Sequence, residues 1–395
     1  MTPELSILLK KKTASSVAEG YPWVYASDIE MNSALELAEP GTLAQFCDMR
    51  GTYLATGYFN NRVSLAGRIL SFQPKETIDT AFFQKRFSSA LQKRSAWFDV
   101  PYYRLLHSEG DGLPGLVIDR FDDILVVQTT TAGMERLKPI WLEALISCLS
   151  PRGIIFRDDG AARKKEGLPQ DIHFWGNIPD MPVEVVEHGV RFLADLKKGQ
   201  KTGWFFDQRA NRNMMARYAH GKEVLDLYSH TGGFGLPAAC AGAAHVAMAD
   251  ASALAIHLSQ QAAQRNDVTA RCSWMEDDVF ELLPRWVSEK KTFDVVIADP
   301  PAFIKEKRMK GSGLKGYEKL ARLCAPIVKR GGHFFIASCS HHAAPAEFRR
   351  AVEHGMKQAG ISFSHLATTG ADVDHPAHPL LPENAYLKGL LYHIK

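Results

Sequence analysis

The C-terminal half of the chain alternates short apolar strands with helical segments, and this alternation restricts the fold more than any other sequence feature. Continuous apolar runs lie at residues 224–227, 245–248 and 294–298, and helical patterns separate them. Buried apolar strands between helices indicate a parallel α/β sheet. Such sheets bind ligands beyond the carboxyl ends of their strands, where the strand order reverses. The sequence therefore predicts a ligand crevice formed by the residues that follow these strands.

A glycine-containing loop follows the first strand. The strand is predicted to end at Asp226, the loop contains Thr231, Gly232 and Gly233, and a helix begins near Phe234. Glycines let a backbone approach a nucleotide closely. A Gly-Gly turn alone is weak evidence, so the neighbouring strand ends must be considered with it.

Further acidic residues follow the next two strands. The second strand is predicted to end at Asp250, and an acidic residue about 20 positions after such a loop accepts hydrogen bonds from ribose hydroxyls. Asp277 and Asp278 lie where a third strand should end, and a carboxylate there can accept the exocyclic amine of adenine. The order and spacing of these residues favour an adenosine-containing cofactor.

The chain lacks the usual phosphate-binding motifs. It has neither a G-x-G-x-x-G loop nor a P-loop ending in Gly-Lys-Ser/Thr. This disfavours NAD and ATP and leaves S-adenosylmethionine (SAM), which has no pyrophosphate to bind. No closely spaced cysteine pair indicates a metal site.

Two reactive groups follow later strands. Asp299 precedes two prolines, which make a rigid, non-helical loop. Cys339 follows a fifth apolar strand and can be a nucleophile if its thiolate is favoured. Cysteines are more often structural, but the crevice shared with Asp226 and Asp250 favours a role in chemistry.

Residues 1–75 are β-rich and are predicted to form a small barrel. Its basic start, with Lys10 and Lys11, and its aromatic residues, with Trp23, could meet a nucleic acid through charge and stacking. The alternative is a solvated charge run and a core tryptophan, and these residues alone favour that alternative.

Residues 76–185 are predicted to form a small α+β domain. Helical patterns at 80–98 and 134–149 accompany several strand-like apolar runs. A basic cluster, Arg163, Lys164 and Lys165, is predicted to lie in a loop. Residues 186–395 would then form the parallel α/β domain.

Composition excludes several classes of protein. Hydrophobic residues make up 46% of the 395-residue chain, and its net charge is only +3. No apolar run is long enough to cross a membrane, and the N-terminus lacks the pattern of a signal peptide. Six scattered cysteines do not form a disulfide framework, so we expect a reducing, cytoplasmic location.

Several motifs together carry a resemblance along nearly the whole chain. The chain resembles the bacterial 23S ribosomal RNA cytosine-C5 methyltransferases of the RlmI-like group. The motifs are PWVY from Pro22, EGDGLPGLVIDRF from Glu109, RKKEG from Arg163, KTGWFFDQRANR from Lys201, YSHTGGF from Tyr228, DPPAF from Asp299, SCS from Ser338 and YLKG from Tyr386.

The resemblance implies a three-domain plan. A PUA RNA-binding β-barrel at 1–75 and a central α+β domain of the EEHEE type at 76–185 would precede a Rossmann-like class I methyltransferase domain at 186–395. The partner would be 23S ribosomal RNA, free or within a ribosomal particle, and relatives of this kind suggest a homodimer.

The resemblance also implies site residues. SAM would be bound by Gln208, Asp226, Tyr228, Ser229, Thr231, Gly232, Gly233, Phe234, Asp250, Asp277, Asp278 and Asp299. RNA would be bound by Lys10, Lys11, Trp23, Arg163, Lys164, Lys165, Arg209 and Lys305. Arg209 and Arg212 fit structural ion pairs equally well.

The implied chemistry is covalent. The Cys339 thiolate would add to carbon 6 of cytosine, and Asp299 would hydrogen-bond ring nitrogen 3 and the amine. Carbon 5 would then accept the methyl group before a base, which the sequence does not identify, removes its proton. The target base would have to be unstacked or flipped into the site.

Two positions depart from related sequences. His230 stands where the group tends to have tyrosine, and general methyltransferases carry glycines in place of Tyr228 and His230. Ala302 replaces the lysine that is usual after Asp-Pro-Pro. If that lysine binds RNA in the related proteins, its absence here affects the affinity for the RNA substrate or the position of the target nucleotide.

Two alternatives remain open at this point. A methyltransferase acting on a ring or exocyclic nitrogen of guanine or adenine can share the Asp-Pro-Pro loop but needs no cysteine nucleophile. A non-catalytic RNA-binding ribosome-assembly factor would need no intact site. Cys339 distinguishes the first alternative, and cofactor binding distinguishes the second.

Overall fold

The computed structural model describes residues 3–199 and 202–395. The chain forms two compact units. The first extends to Asp180 and includes Leu196–Trp204 and Asp374–Pro382; the second contains Met181–Asp195, Phe205–Val373 and Glu383–Lys395. Within the described ranges, no helix has the length and apolar character needed to cross a membrane.

The first unit begins with a five-stranded sheet. In this sheet β1 is parallel to β3, the other pairs are antiparallel, and the strand order is β1-β3-β4-β5-β2. The strands are β1 (Leu5–Leu8), β2 (Trp23–Val24), β3 (Thr42–Cys47), β4 (Tyr53–Phe59) and β5 (Gly67–Ser71), and the helices are α1 (Lys11–Ala18) and α2 (Ser33–Glu36).

A second five-stranded sheet completes the first unit, in the order β10-β9-β8-β7-β6. Along the chain, three strands precede two helices, and a short helix separates the last two strands, so the sheet has one strand more than the EEHEE order. The strands are β6 (Tyr102–His107), β7 (Leu116–Phe121), β8 (Ile124–Thr129), β9 (Gly153–Asp158) and β10 (Asp171–Gly176), and the helices are α3 (Thr80–Trp97), α4 (Ala132–Arg136), α5 (Lys138–Leu149) and α6 (Ala161–Lys165).

Two local predictions in this unit were wrong. The single helix expected at 134–149 is two helices, because Pro139 lacks an N–H and begins a new helix in the first turn of α5. The basic cluster expected in a loop lies in α6. The helix expected at 80–98 is α3, whose start is capped by Asp79, which accepts a hydrogen bond from the Phe82 N–H at 2.9 Å.

The second unit contains a two-stranded hairpin and a seven-stranded sheet. The hairpin is β11 (Val183–Glu187) and β12 (Val190–Ala194). The large sheet has β13 (Glu223–Leu227), β14 (His245–Asp250), β15 (Cys272–Glu276), β16 (Phe293–Ala298), β17 (Val328–Ser338), β18 (Phe363–Thr369) and β19 (Lys388–Ile394). The helices are α7 (Arg209–Ala216), α8 (Gly235–Cys240), α9 (Ala253–Arg265), α10 (Val279–Ser288), α11 (Lys310–Cys324) and α12 (Pro345–Gln358).

The large sheet confirms the predicted mostly parallel architecture. Its order is β15-β14-β13-β16-β17-β19-β18, and β19 alone runs in the direction opposite to the other six strands of this sheet. The strand order reverses between β13 and β16, so the carboxyl ends of these strands border the switch-point crevice. The first strand ends at Leu227, one residue later than predicted.

Gly355 sets the close approach of α12 to α11. A Cβ atom at Gly355 would lie 2.2 Å from the Glu318 carbonyl oxygen, so Gly355→Ala should lower the free energy of unfolding by about 1–3 kcal/mol through overpacking. Gly311 of α11 has open space around it, and Gly311→Ala should raise stability by up to about 1 kcal/mol. Urea denaturation of both variants checks this, and equal midpoints would contradict it.

Candidate active site

Asp226 connects the first strand of the large sheet to the loop that follows it. Its side chain is buried, and its Oδ2 accepts a hydrogen bond from the Gly235 N–H at 2.7 Å. A buried carboxylate at this position fixes the start of α8 relative to β13. The loop between them is therefore held at both ends.

The loop adopts backbone conformations that usually require glycine. Tyr228 has φ +60° and His230 has φ +50°, both in the left-handed region. Gly232 has φ +86°, and a Cβ there would lie 2.7 Å from both Leu236 Cγ and Ser259 Oγ. Non-glycine residues in this region cost about 1 kcal/mol or more, so surrounding contacts must hold the loop.

Asp250 supplies such contacts from the end of β14. Its Oδ2 accepts from the His230 N–H at 2.8 Å, and its Oδ1 accepts from the Ser252 N–H at 2.9 Å. Burial lowers the pKa of His230 to about 4, so its imidazole is neutral near neutral pH. The carboxylate of Asp250 is only partly buried and remains accessible to a ligand.

The next acidic pair lies at the end of β15. The Asp277 N–H donates to the Asp250 carbonyl oxygen at 3.2 Å, and the Asp277 side chain pairs with Arg285. Asp278 is exposed and caps α10 by accepting from the Phe280 N–H at 2.7 Å. Asp277 therefore lies beside Asp250, whereas Asp278 has a helix-capping role.

Three polar atoms at the end of β13 and the start of the loop that follows it are buried without a hydrogen-bond partner among the described residues. They are Oδ1 of Asp226, the hydroxyl of Tyr228 and Oγ of Ser229. Buried polar groups without a partner are costly, and three of them within four residues fit contact with a polar ligand. Their donor and acceptor chemistry fits the hydroxyl and amine groups of an adenosine cofactor.

The electrostatics of the site favour a cationic ligand. Burial raises the pKa of Asp226 to about 8, the Gly235 N–H opposes this, and the charges of Asp299 and Asp250 raise it further. Three neighbouring carboxylates repel one another when ionised. SAM carries a sulfonium and an ammonium group, and their positive charge would relieve that repulsion.

Three further residues expected near the cofactor are buried. Gln208 is buried and accepts from Asn211 Nδ2 at 2.6 Å. Thr231 and Phe234 are buried, and the Phe234 ring centroid lies 5.7 Å from that of Phe335. The structure thus gathers these residues in the second unit.

Asp299 and Cys339 follow neighbouring parallel strands. Asp299 follows β16, and its N–H donates to the Leu227 carbonyl oxygen at 3.3 Å. Cys339 follows β17, which pairs with β16. Both side chains are partly exposed. A carboxylate and a thiol thus follow adjacent strand ends of the same crevice.

Sequence reasoning missed Tyr317, whose hydroxyl holds the two serines on either side of Cys339. Tyr317 of α11 is buried, and its hydroxyl accepts from Ser338 Oγ at 2.8 Å. Ser340 Oγ lies 2.9 Å from the same hydroxyl and accepts from the Ile304 N–H at 3.2 Å. The two serines that flank Cys339 were a sequence signal for such a partner.

Two residues expected to contact RNA are buried instead. Arg163 donates to Glu135 Oε2 and to the Thr129 carbonyl oxygen, both at 2.7 Å. Arg209 is 3% exposed and lies 3.6 Å from Glu187. Each guanidinium group has an internal partner distant in sequence, so neither side chain is presented at the surface.

Arg212 forms a structural ion pair, which is one of the two roles that the sequence allowed for it. It is buried and donates to both carboxylate oxygens of Glu187, at 2.8 and 2.9 Å.

Trp23 is partly exposed, and its indole N–H donates to Glu109 at 2.9 Å. The other residues expected to contact RNA have exposed side chains; they are Lys10, Lys11, Lys164, Lys165 and Lys305.

A mostly parallel sheet with a glycine-containing loop at its switch point and carboxylates at the neighbouring strand ends is typical of nucleotide-cofactor enzymes of the Rossmann-like methyltransferase class. Residues 7–72 match the PUA-like domain family, and residues 169–388 match the S-adenosylmethionine-dependent methyltransferase family. The chain belongs to the SAM-dependent methyltransferases, and within them to the family of ribosomal RNA large subunit methyltransferase I proteins. The expected fold class, the enzyme class and the cofactor SAM are thereby confirmed.

Relatives in this family match along nearly the whole chain. The ribosomal RNA large subunit methyltransferase I of Cronobacter sakazakii is 33% identical over 98% of this chain and 99% of its own length. The protein of that name from Shewanella amazonensis is 34% identical over 98% of both chains.

Solved structures share the fold. A Streptococcus mutans protein described as a SAM-dependent methyltransferase has a TM-score of 0.83 and 21% identity, covering 98% of this chain and all of its own. A methyltransferase complexed with S-adenosylhomocysteine (SAH) also has a TM-score of 0.83, with 22% identity over 99% of this chain and all of its own.

The raised pKa of Asp226 leads to a stability prediction. The folded value of about 8 exceeds the ordinary value of 3.8, so the folded state binds the extra proton between these pH values. The stability of the cofactor-free protein, relative to Asp226→Asn, should therefore fall by up to about 1.4 kcal/mol per pH unit between about pH 5 and 8. Urea denaturation at each pH measures the difference, and a constant difference would contradict the prediction.

Proposed function

We propose that this protein methylates carbon 5 of a cytosine in 23S ribosomal RNA through a covalent intermediate on Cys339. The observation that carries the proposal is the placement of Cys339 and Asp299 after adjacent parallel strands of a SAM-dependent methyltransferase. The names of the full-length relatives support ribosomal RNA as the substrate.

Cys339 and Asp299 have different proposed roles toward the target cytosine. The electron pair of the Cys339 thiolate forms a bond to carbon 6, and the carbon 5–carbon 6 double bond supplies the electrons that make carbon 5 nucleophilic. Asp299 hydrogen-bonds ring nitrogen 3 and the exocyclic amine, which holds the base and shares a proton with the ring. After carbon 5 has gained the methyl group, a base takes its proton, the electron pair of that C–H bond re-forms the carbon 5–carbon 6 double bond, and the thiolate leaves carbon 6.

The cofactor would be held by the loop after β13. Asp226, Tyr228 and Ser229 offer buried polar atoms, and Asp250 offers a partly exposed carboxylate for the ribose. When bound there, SAM supplies the methyl group to carbon 5. The neighbouring carboxylates and the fixed loop orient it and favour its positive charge.

We extend the proposal to the RNA contacts and the domains. Lys10, Lys11, Lys164, Lys165 and Lys305 are exposed and would neutralise phosphates, and the partly exposed Trp23 would stack on a base. The domain plan of 1–75, 76–185 and 186–395 also stays a prediction.

The RNA partner and the oligomeric state can each be tested. Methylation of free ribosomal RNA and of ribosomal particles can be compared directly, and sedimentation tests the proposed homodimer. Faster methylation of the particle would show that the assembled RNA is the substrate.

The experiment that tests the substrate uses methyl-labelled SAM and unmodified ribosomal RNA. After digestion, mass spectrometry identifies the labelled nucleoside, and transfer RNA serves as the control substrate. Labelled 5-methylcytidine from ribosomal RNA alone is expected. Labelled methylguanosine or methyladenosine would favour nitrogen methylation, and no SAM binding by calorimetry would favour a non-catalytic factor.

A further inference from the structure

Lys388 is a buried lysine that the proposed chemistry does not use. It lies at the start of β19, where it pairs with Ser338 of β17, the residue directly before Cys339. Its exposed fraction is only 5%. Lysine is rarely buried unless it is paired, so its position here calls for a physical reason.

The ammonium group of Lys388 holds the turn that follows Cys339. Its Nζ donates to the carbonyl oxygens of Ser340, at 2.8 Å, and Ala343, at 2.9 Å. It forms no ion pair with a carboxylate among the residues that the structure describes. The two carbonyl groups solvate the charge but do not neutralise it.

A thiolate at Cys339 would supply the negative charge that could neutralise the Lys388 ammonium group. Burial lowers the pKa of Lys388, and the charge of a Cys339 thiolate opposes that shift. The interaction is mutual, since a nearby cation stabilises a thiolate relative to a thiol. Strand pairing with Ser338 and the hydrogen bond to Ser340 place the buried cation beside the residues on both sides of Cys339.

We propose that Lys388 is a positioning residue for Cys339, which fixes the turn after the cysteine and favours its thiolate form. The proposal rests on the proposed function, because it is the thiolate that adds to carbon 6. The thiol proton passes to solvent, and the sulfur electron pair becomes available for the new bond.

The other titratable groups near Cys339 are a phenol, an imidazole and a carboxylate, whereas Lys388 carries a buried ammonium group. Burial raises the pKa of Tyr317, so its phenol is neutral and contributes hydrogen bonds to the flanking serines rather than charge. His341 follows in the same turn, with its ring centroid 5.0 Å from that of Tyr386, and Asp299 follows the neighbouring strand. Lys388 is thus the buried cation of this group.

Thiol alkylation tests the proposal without RNA or cofactor. The full-length protein is treated with iodoacetamide from pH 6 to 10, and peptide mass spectrometry gives the rate at Cys339. Lys388→Gln, which keeps an N–H donor but loses the charge, should slow alkylation at pH 7 about tenfold and raise the midpoint by about one pH unit. Lys388→Arg, which keeps the charge, should stay within about threefold of wild type.

Several controls keep the outcome decisive. Cys240 is exposed and its alkylation profile in the same digest should be the same in all variants. Tyr317→Phe removes the hydrogen bonds to the serines and should leave the Cys339 midpoint unchanged. An unchanged midpoint in Lys388→Gln, with a loss of stability only, would overturn the proposal.

Two further results separate this proposal from the proposed function. If Lys388→Gln does not fold, a wild-type midpoint above the ordinary thiol value of about 8.5 overturns the role of Lys388. If Cys339→Ala still forms 5-methylcytidine, the covalent mechanism fails even though the alkylation result stands.

Discussion

Replacing Cys339 with alanine is expected to reduce formation of 5-methylcytidine by at least about a thousandfold, because carbon 5 is too weak a nucleophile without addition at carbon 6. The fold should be retained, since the Cys339 side chain is only partly buried. Binding of SAM should also be retained, because its proposed site follows other strands of the sheet. The measurement compares labelled nucleosides from wild-type and variant reactions on the same ribosomal RNA.

The matched control is Cys240→Ala, since Cys240 is an exposed cysteine of the same unit. This variant should methylate as fast as wild type. RNA with 5-fluorocytidine at the target adds a direct readout, because the fluorine cannot leave as a proton does and the cysteine adduct should persist. Equal methylation of a guanine or adenine by wild type and Cys339→Ala would make Cys339 structural and the nitrogen alternative correct.

Sequence patterns predicted the large sheet because its signals are local. Strands buried on both faces appear as mostly apolar runs, as in β13 and β16, and Asp226 and Asp299 lie at or directly after their carboxyl ends. The boundary of β13 was displaced by one residue, because Leu227 continues the pairing beyond Asp226. Asp250 ends β14 as expected, and β15 ends at Glu276, directly before Asp277 and Asp278.

The two arginines whose burial the sequence did not indicate have partners far away in sequence. Arg163 pairs with Glu135, and Arg209 lies beside Glu187 and Asp372. A basic residue in a sequence has the same appearance whether it faces solvent or a buried carboxylate. Such pairings are decided by tertiary packing, so local patterns could not separate an RNA contact from an internal ion pair.

The supporting residues of the Cys339 turn were missed for a related reason. Tyr317 lies on a helix and Lys388 on a strand, and only the packed sheet brings both to the residues around Cys339. The sequence places Lys388 in a motif but shows neither its burial nor its two carbonyl partners. Motifs thus identify reacting groups more readily than the residues that hold them.

The second large effect is expected at Asp250. Asp250→Ala should weaken SAM binding at least about a hundredfold, because it removes the ribose acceptor and releases the loop from a charge-assisted hydrogen bond at His230. His230 then keeps its left-handed backbone without that support. Calorimetry with SAM and with SAH measures the loss, and both ligands should lose affinity since both carry the ribose.

The control for this prediction is an aspartate at the amino ends of the parallel strands, away from the proposed SAM site. Asp294 is at the amino end of β16, where it accepts from the Glu223 N–H at 2.9 Å and pairs with Lys329 at 3.1 Å. Asp294→Ala removes a similar carboxylate and a similar backbone hydrogen bond, so it should reduce stability by about 1 kcal/mol without changing SAM affinity. If both variants bound SAM equally well, Asp250 would support only the fold, and the cofactor would have to be held by Asp226, Tyr228 and Ser229 alone.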